Sequence, residues 1–251
     1  MNKDSLFNYC LRLGDSAMIH GHRLSELCSR GPVLEEDLAL TNISLDTIGR
    51  ANAIFMYASV VEEKGRDEDD IAYRREERNY YNHLITEQPN GDFANIIVKQ
   101  LFLSAYELLF FTQMTKSNDI VLAGIAQKTL KEVKYHLQHA ADWTVRLGDG
   151  TSESHDRMQR AINNLWMYTA ELFEMDELDK EMAELGIGVD TKPLHRQWYN
   201  YISEVIAEAT LAIPEKGFMQ SGSKKGIHSE HMGHILAEMQ YLQRAYPDAK
   251  W

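Results

Sequence analysis

The sequence has little cysteine, and its cysteines form no motif. Its 251 residues include two, Cys10 and Cys28, without Cys-x-x-Cys spacing. A disulfide framework is therefore excluded, and a reducing compartment is favoured. No apolar signal core follows Met1, and the most hydrophobic run, residues 101–111, contains Glu107 and is too short to span a bilayer. We expect a cytoplasmic protein without a membrane partner.

Positive charge, proline and glycine are also scarce. The formal net charge is −12 at pH 7, which argues against a surface for nucleic acid or anionic lipid, because both would repel it. Only five prolines and fifteen glycines occur, and hydrophobic residues make up 44% of the chain, so intrinsic disorder is excluded. A chain of this length buries a sizeable core, and we expect a single domain over residues 1–251.

Strand-like alternation is absent, whereas apolar residues recur throughout at helical spacing. A charged stretch at 66–78 leads into an aromatic connector, and a Gly/Ser/Lys loop occupies 217–226. Asp92 has the character of a helix N-cap, and Pro32 that of a helix start. The pattern predicts helices over residues 4–29, 33–64, 93–116, 119–148, 152–174, 176–185, 193–211 and 227–246.

The longest predicted helices are joined in pairs by tight turns. Gly31-Pro32 separates the first two helices, and Ser117-Asn118 separates the next long pair. Turns this short join antiparallel neighbours. The sequence therefore predicts an all-α fold, a long-helix bundle built from two antiparallel helix hairpins plus additional C-terminal helices.

Three carboxylates stand out because each falls near the middle of a helical stripe that is otherwise apolar or small. We expect each acid to point into an interior, where a lone charge is costly unless a cation or hydrogen-bond donor meets it. Small residues beside Asp46 also allow a neighbouring helix to approach closely. The stripes are Ala39, Asn42, Asp46, Gly49, Ala53, Met56 and Val60; Ile96, Gln100, Leu103, Glu107, Phe110 and Met114; and Ile125, Thr129, Glu132, His136, His139, Trp143 and Leu147.

The acids have the spacing of a di-iron carboxylate bundle from which parts are missing. Such bundles use one Glu from each of two helices and a Glu-x-x-His pair from each of the other two. Gly49 stands three residues after Asp46, and Tyr135 three residues after Glu132, where histidines are expected. Glu107 is placed to bridge opposite Glu132. Both imidazole ligands are therefore lost.

The first helix offers no clear carboxylate either, since its nearest acids are Asp15 and Glu26. An iron pair on the remaining side chains would be under-coordinated and weakly held. We therefore predict no metal, no cofactor and no catalytic residue in this chain.

Other groups are candidates to satisfy the acids. His136 lies one turn from Glu132 and would restore a ligand in a shifted register; alternatively His136 hydrogen-bonds Glu132 and His139 caps an edge of the core, which we favour. A cation would serve the same purpose. The candidate cations are Lys128, Lys131 and Arg50.

Two further clusters have simpler interpretations. His228, His231 and His234 fan across about 120° of a helix surface, so at most two of them meet one ion, and we expect imidazoles at a rim or partner surface. The connector at Tyr80-Tyr81 is typical of packing, with exposed tyrosines as an alternative anchor for a partner.

Three segments together resemble a known family. They are residues 78–94 with Glu87-Gln88-Pro89-Asn90-Gly91-Asp92, the Asp46-x-x-Gly49-x-Ala51 segment, and the ending His228-Ser229-Glu230-His231-Met232-Gly233 with Leu236 to Gln240. This combination is specific, covers essentially the whole chain, and is similar to the phenylacetyl-CoA oxygenase (epoxidase) proteins. The match is to the structural subunit rather than the catalytic one.

The resemblance implies a ferritin-like subunit of a bacterial multicomponent monooxygenase for aerobic phenylacetate breakdown. In that family a catalytic sister subunit holds the di-iron centre and converts phenylacetyl-CoA to its ring-1,2-epoxide. A reductase component with NADPH, FAD and an iron–sulfur centre supplies electrons. The structural subunit pairs with the sister, stabilises it and contributes to the CoA-substrate region. On this resemblance Asp46, Gly49, Glu107, Glu132 and Tyr135 are degenerate ligand positions.

Two other functions remain open from the residues alone. One is an independent di-iron carboxylate oxidase that uses Asp46, Glu107, Glu132 and a shifted His136. The other is a stand-alone helical module for an acyl-CoA, although the basic residues available for its phosphates are limited to Lys224-Lys225.

Overall fold

The structure is a computed structural model that describes residues 2–215, 217–247 and 249. Over these residues the chain forms eleven α-helices, four short 3-10 helices and no strand, which confirms the all-α prediction. In chain order the α-helices are α1 (Lys3–Ser25), α2 (Leu34–Glu62), α3 (Glu68–Tyr73), α4 (Leu84–Glu87), α5 (Phe93–Met114), α6 (Ile120–Gly148), α7 (Ser152–Leu165), α8 (Glu177–Glu184), α9 (Leu194–Glu208), α10 (Glu230–Met239) and α11 (Tyr241–Ala245).

The chain divides into two compact units. The first comprises Met1–Pro89 and Gly222–Trp251, and the second Asn90–Ser221. Each unit contains one of the predicted hairpins, α1 with α2 in the first and α5 with α6 in the second. These pairings are those of a helical bundle.

Two glycines of α1 allow α2 to pack closely in the first unit. A Cβ built on Gly21 would lie 2.6 Å from Cγ1 of Ile48, and one built on Gly14 would overlap the ring of Phe55. The Ser44 hydroxyl donates a 2.8 Å hydrogen bond to the Gly21 carbonyl, which ties the helices at the same level. A larger residue at either glycine would push the helices apart.

The second unit is built around α5, which packs against α6, α7 and α9. Its core is aromatic: the rings of Phe102, Trp166 and Trp198 lie 5.6–5.7 Å apart, and the Trp198 indole donates a 3.0 Å hydrogen bond to the Phe102 carbonyl. By length and composition alone α5 could cross a membrane. However, 72% of its most apolar stretch is buried inside the protein, as expected of a core helix.

Helix starts agree well with the sequence, because their signals are local. Asp92 accepts a hydrogen bond from the backbone N–H of Asn95, and Asp119 caps the start of α6. The next helix starts at Ser152, where the predicted range begins, and its N-cap is Thr151. An N-cap offers an acceptor to amides that have no partner within the helix, so these positions are readable from sequence.

Several helix ends and connectors differ from the prediction. The helix predicted over 152–174 ends at Leu165 and continues as 3-10 turns at Trp166–Tyr168 and Ala170–Phe173, and the connectors contain the short helices α3 and α4. The last predicted helix starts at Glu230, not 227, and breaks at Gln240. Periodicity distinguishes poorly between 3-10 and α geometry over such short segments.

The stripe of α2 that was predicted to face the interior is mostly exposed or half-buried, so this prediction is wrong. Met56 and Val60 are 51% and 70% exposed, and Asp46, Gly49 and Ala53 are only partly buried. The buried face of α2 is instead formed by residues including Leu40, Ile43, Thr47, Ile54 and Ala58. Both faces of α2 are rich in apolar residues, so hydrophobic spacing alone selected the wrong one.

Candidate functional site

In the first unit, the predicted ligand positions lie on the outer part of α2. Asp46 is half-buried rather than enclosed, which corrects the expectation of an interior carboxylate. A Cβ built on Gly49 meets no atom within 4 Å, so the position where a ligating histidine was expected is open space. Glycine has no side chain with which to bind a metal.

In the second unit, the acids on α5 and α6 are also half-buried. Glu132 lies 3.7 Å from the Lys128 ammonium, an exposed partner one turn earlier on α6. Of the three candidate cations, Lys128 is therefore placed beside this acid. At 75% exposure of the lysine side chain, the pair contributes little to stability.

Tyr135 and His136 lie on different sides of α6. Tyr135, at the second position where histidine was expected, is 51% exposed, whereas His136 is 1% exposed. The Tyr135 ring packs beside both His136 and His139, with centroids 6.3 Å and 6.1 Å away. A half-exposed phenol at this position does not replace an inward imidazole ligand.

The donor set does not fit a di-iron centre. Among the residues that the structure describes, no group of three or more His, Cys, Asp or Glu side chains is close enough to hold a metal ion. The chemistry of the individual positions agrees, since Gly49 offers no donor and Tyr135 is turned towards solvent.

Asp15 of α1, one of the two acids near the first-helix position, is held by a cation that the sequence did not reveal. Asp15 is fully buried, and the guanidinium of Arg75 meets both of its oxygens. The backbone N–H of Tyr81 donates a further 2.9 Å hydrogen bond to the same carboxylate. Burial opposes the charged form of Arg75, but Asp15 outweighs that effect and raises the pKa of the guanidinium. Arg75 therefore supplies the counter-charge that a buried carboxylate needs.

Arg75 also links the aromatic connector to the C-terminal helices. Its guanidinium lies 4.1 Å from the Tyr80 ring centroid, and the Gln240 amide donates 2.8 Å hydrogen bonds to the Arg75 carbonyl and the Tyr80 hydroxyl. Burial raises the pKa of Tyr80 to about 12. Tyr80 is fully buried, which confirms the packing interpretation for this residue and excludes it as the alternative exposed anchor, whereas Tyr81 is half-buried.

A second buried ion pair joins segments 141 positions apart. The His228 ring nitrogens lie 2.9 Å from a Glu87 carboxylate oxygen and 2.9 Å from the Tyr80 carbonyl oxygen. The Tyr80 carbonyl and an ionised Glu87 carboxylate can only accept, so this geometry favours a His228 ring with a proton on each nitrogen. Glu87 also accepts hydrogen bonds from the Ser229 backbone N–H and the Asn82 amide.

The position of His228 corrects its predicted placement at a rim or partner surface. Its side chain and that of Glu87 are both fully buried. Burial alone would lower the pKa of His228, but the hydrogen bond and charge of Glu87 and the Tyr80 carbonyl raise it above its ordinary value. Two of the three segments that carried the family resemblance, around Glu87 and from His228 to Gln240, thus meet in one buried network.

A surface cleft of about 550 Å³ lies beside this network in the first unit. Its lining includes Glu76, Glu77 and Arg244, and Arg244 lies 3.2 Å from the Glu76 carboxylate. Two acids and one already paired cation do not suit the phosphates of an acyl-CoA. The cleft was not predictable from sequence, because its lining comes from distant segments.

Fold and site together define an all-helical protein with two helix hairpins and two buried ion pairs. Residues 1–251 match the family described as phenylacetic acid catabolic protein, and the chain belongs to this family. It is also 46% identical over 248 residues to a subunit of the 1,2-phenylacetyl-CoA epoxidase of Escherichia coli (strain K12). That alignment covers 99% of this chain and 100% of the relative.

Proposed function

We propose that this chain is a non-catalytic subunit of a 1,2-phenylacetyl-CoA epoxidase in aerobic phenylacetate catabolism. It pairs with the di-iron sister subunit and stabilises it in the cytoplasm. Electrons reach the sister from a reductase with NADPH, FAD and an iron–sulfur centre. The observation that carries the proposal is the match to the epoxidase subunit of Escherichia coli along the whole length of that relative.

The state of the ligand positions favours a structural rather than a catalytic role. Gly49 and Tyr135 replace the imidazoles that a di-iron bundle needs, and Asp15 is satisfied by Arg75. We propose that both hairpins belong to one ferritin-like domain over residues 1–251 that kept its acids after losing its metal. The contribution of this chain is then a rigid helical scaffold for the sister.

Reconstitution of the epoxidase tests this proposal. The chain and the sister subunit are purified separately and together, and phenylacetyl-CoA-dependent oxygen consumption is measured with the reductase components present. We expect no activity from this chain alone and a large gain when it is added to the sister. Equal activity of the sister with and without this chain would contradict the proposal.

The substitution His136→Ala separates this proposal from the independent oxidase with a shifted ligand. If His136 were a ligand, the variant would lose oxidase activity and iron in the isolated chain. We expect the isolated wild-type chain to show neither, so that the variant changes only its stability. Iron-dependent oxidase activity in the isolated wild-type chain would establish the alternative.

A further inference from the structure

The side of α2 that faces away from its buried face is long, apolar and uncharged. Its members follow spacings of four and seven residues, which places them within about 80° of one another on the helix. The five large side chains are between 51% and 70% exposed. This outer stripe consists of Leu34, Leu38, Leu45, Gly49, Met56 and Val60.

No charged residue interrupts the outer stripe. The polar residues within the same sector between its ends include Asn42 and Asn52. In a chain where 25% of residues are charged, a stripe about 40 Å long without a charge is unusual. Depletion of charge is the compositional mark of the core of a protein–protein interface.

The centre of the stripe is shaped for close approach by another helix. Gly49 lies near its midpoint, and a Cβ built there meets no atom within 4 Å. A partner helix can therefore approach the α2 backbone there as α2 approaches α1 at Gly21. The close approach predicted from the small residues beside Asp46 would then involve a partner helix, because this face of α2 is exposed within this chain.

The area of the stripe indicates the kind of partner. A helix face about 40 Å long and about 10 Å wide covers roughly 400 Å², about half of the roughly 800 Å² per partner in a standard stable interface. A short peptide would leave much of it uncovered. A long helix together with its neighbours from a folded subunit would fill it.

Charge argues against a second copy of this chain as that partner. Asp46 flanks the midpoint of the stripe, and antiparallel self-pairing about a two-fold axis there would bring two copies of Asp46 together. Each copy also carries a net charge of −12. A different protein need not carry this negative charge, which favours a hetero-complex.

We infer that the outer stripe of α2 is the docking surface for a long helix of the di-iron sister subunit. This inference rests on the proposed function and specifies the face through which it operates. The sister helix presents an apolar or small-residue stripe to Leu45, Gly49 and Met56.

Binding measurements with glutamate substitutions test the inference. The sister subunit is immobilised, and its affinity is measured for wild type, Leu45→Glu and Met56→Glu. Each variant buries an unpaired carboxylate on docking, so we expect binding to weaken by about a hundredfold or more. Both positions are exposed in the free chain, so its thermal unfolding should remain nearly unchanged.

Two further variants complete the test. Ile120→Glu, the same change at an 85% exposed apolar residue of α6, is the matched control and should bind like wild type. Gly49→Leu adds bulk where the free chain has open space, so it should fold normally but weaken docking by about tenfold or more.

The outcomes separate this inference from the proposed function. If wild type binds the sister and the stripe variants bind equally well, the sister docks elsewhere and the inference is wrong. If wild type binds no sister subunit, the proposed function itself fails. If wild type self-associates through the stripe, and Leu45→Glu abolishes the dimer without affecting sister binding, the occupant is a second copy and the inference is overturned.

Discussion

At the scale of the residue, Asp15 and Arg75 form a buried ion pair in which each charge stabilises the other. Both are buried, and the Arg75 guanidinium meets both carboxylate oxygens of Asp15. A pair of this kind costs much to break, because removal of one member leaves the other charge buried alone. The acid was visible in the sequence, but its partner lies 60 residues away and was not.

Asp15→Asn should lower the free energy of unfolding by about 3–5 kcal/mol, because Arg75 then stays buried without its counter-charge. Arg75→Met alone should cost a similar amount, because Asp15 then stays buried without its cation. The double variant Asp15→Asn with Arg75→Met should recover much of this loss, since neither charge remains. Urea unfolding of the single and double variants measures the coupling. Arg157→Ala, which breaks an exposed pair with Glu153, is the control and should change little. Additive effects of the two single substitutions would show that the charges do not depend on each other.

The buried Glu87–His228 pair predicts a dependence of stability on pH. The folded-state pKa of His228 is raised, so the pair stabilises the fold fully below the unfolded value of about 6.5, and this stabilisation is lost as pH rises through the folded-state pKa. The difference in unfolding free energy between wild type and His228→Gln should therefore shrink with rising pH. Urea unfolding between about pH 5.5 and 9 measures it, taken in steps of about half a unit.

His83 has the opposite effect on how stability depends on pH. The test therefore uses the difference in unfolding free energy between wild type and His228→Gln. Burial, with the charges of Lys224 and Arg12, lowers the pKa of His83 to about 3, so this residue destabilises the fold as pH falls below about 6.5. Because both proteins retain His83, its contribution cancels. A difference that is constant with pH, or that grows as pH rises, would show that His228 is not an imidazolium in the fold.

At the scale of the element, the two glycine positions of the α1–α2 hairpin have opposite surroundings. Gly21→Ala should lower the free energy of unfolding by about 1 kcal/mol or more, because overpacking against Ile48 costs roughly 1–3 kcal/mol and exceeds the gain in helix propensity. In Gly49→Ala the added methyl group meets no atom, so the free energy of unfolding should rise by about 0.5–1 kcal/mol through helix propensity. Thermal or urea unfolding of the free chain checks both, and a destabilising Gly49→Ala would show that this face is packed.

The elements also show what sequence predicts and what it does not. The starts of α5 and α6 were predictable because Asp92 and Asp119 act on amides two or three residues away. The buried face of α2 was not, since apolar residues surround this helix and only its packing on α1 selects a side. The start of α10 was missed because Glu87, not a local signal, holds His228 and Ser229 outside the helix.

At the scale of the whole molecule, buried charges form pairs, but the predicted metal-ligand positions lack histidine. The buried pairs Asp15–Arg75 and Glu87–His228 lie within the first unit, whereas the positions three residues after Asp46 and Glu132 hold Gly49 and Tyr135. Sequence was sufficient for the family, because the resemblance depends on residue identity at fixed spacing, whereas the lost ligands remain a prediction. It was insufficient for the buried network, which depends on tertiary contact between distant segments.

The proposed role requires that this chain support an epoxidase without holding iron of its own. The deciding quantity is the iron content of the chain purified alone, compared with the same chain purified with the sister subunit and then separated from it. We expect only trace iron in the isolated chain, and iron that stays with the sister after separation. Stoichiometric iron that remains with this chain through dialysis against a mild chelator would contradict the proposed role.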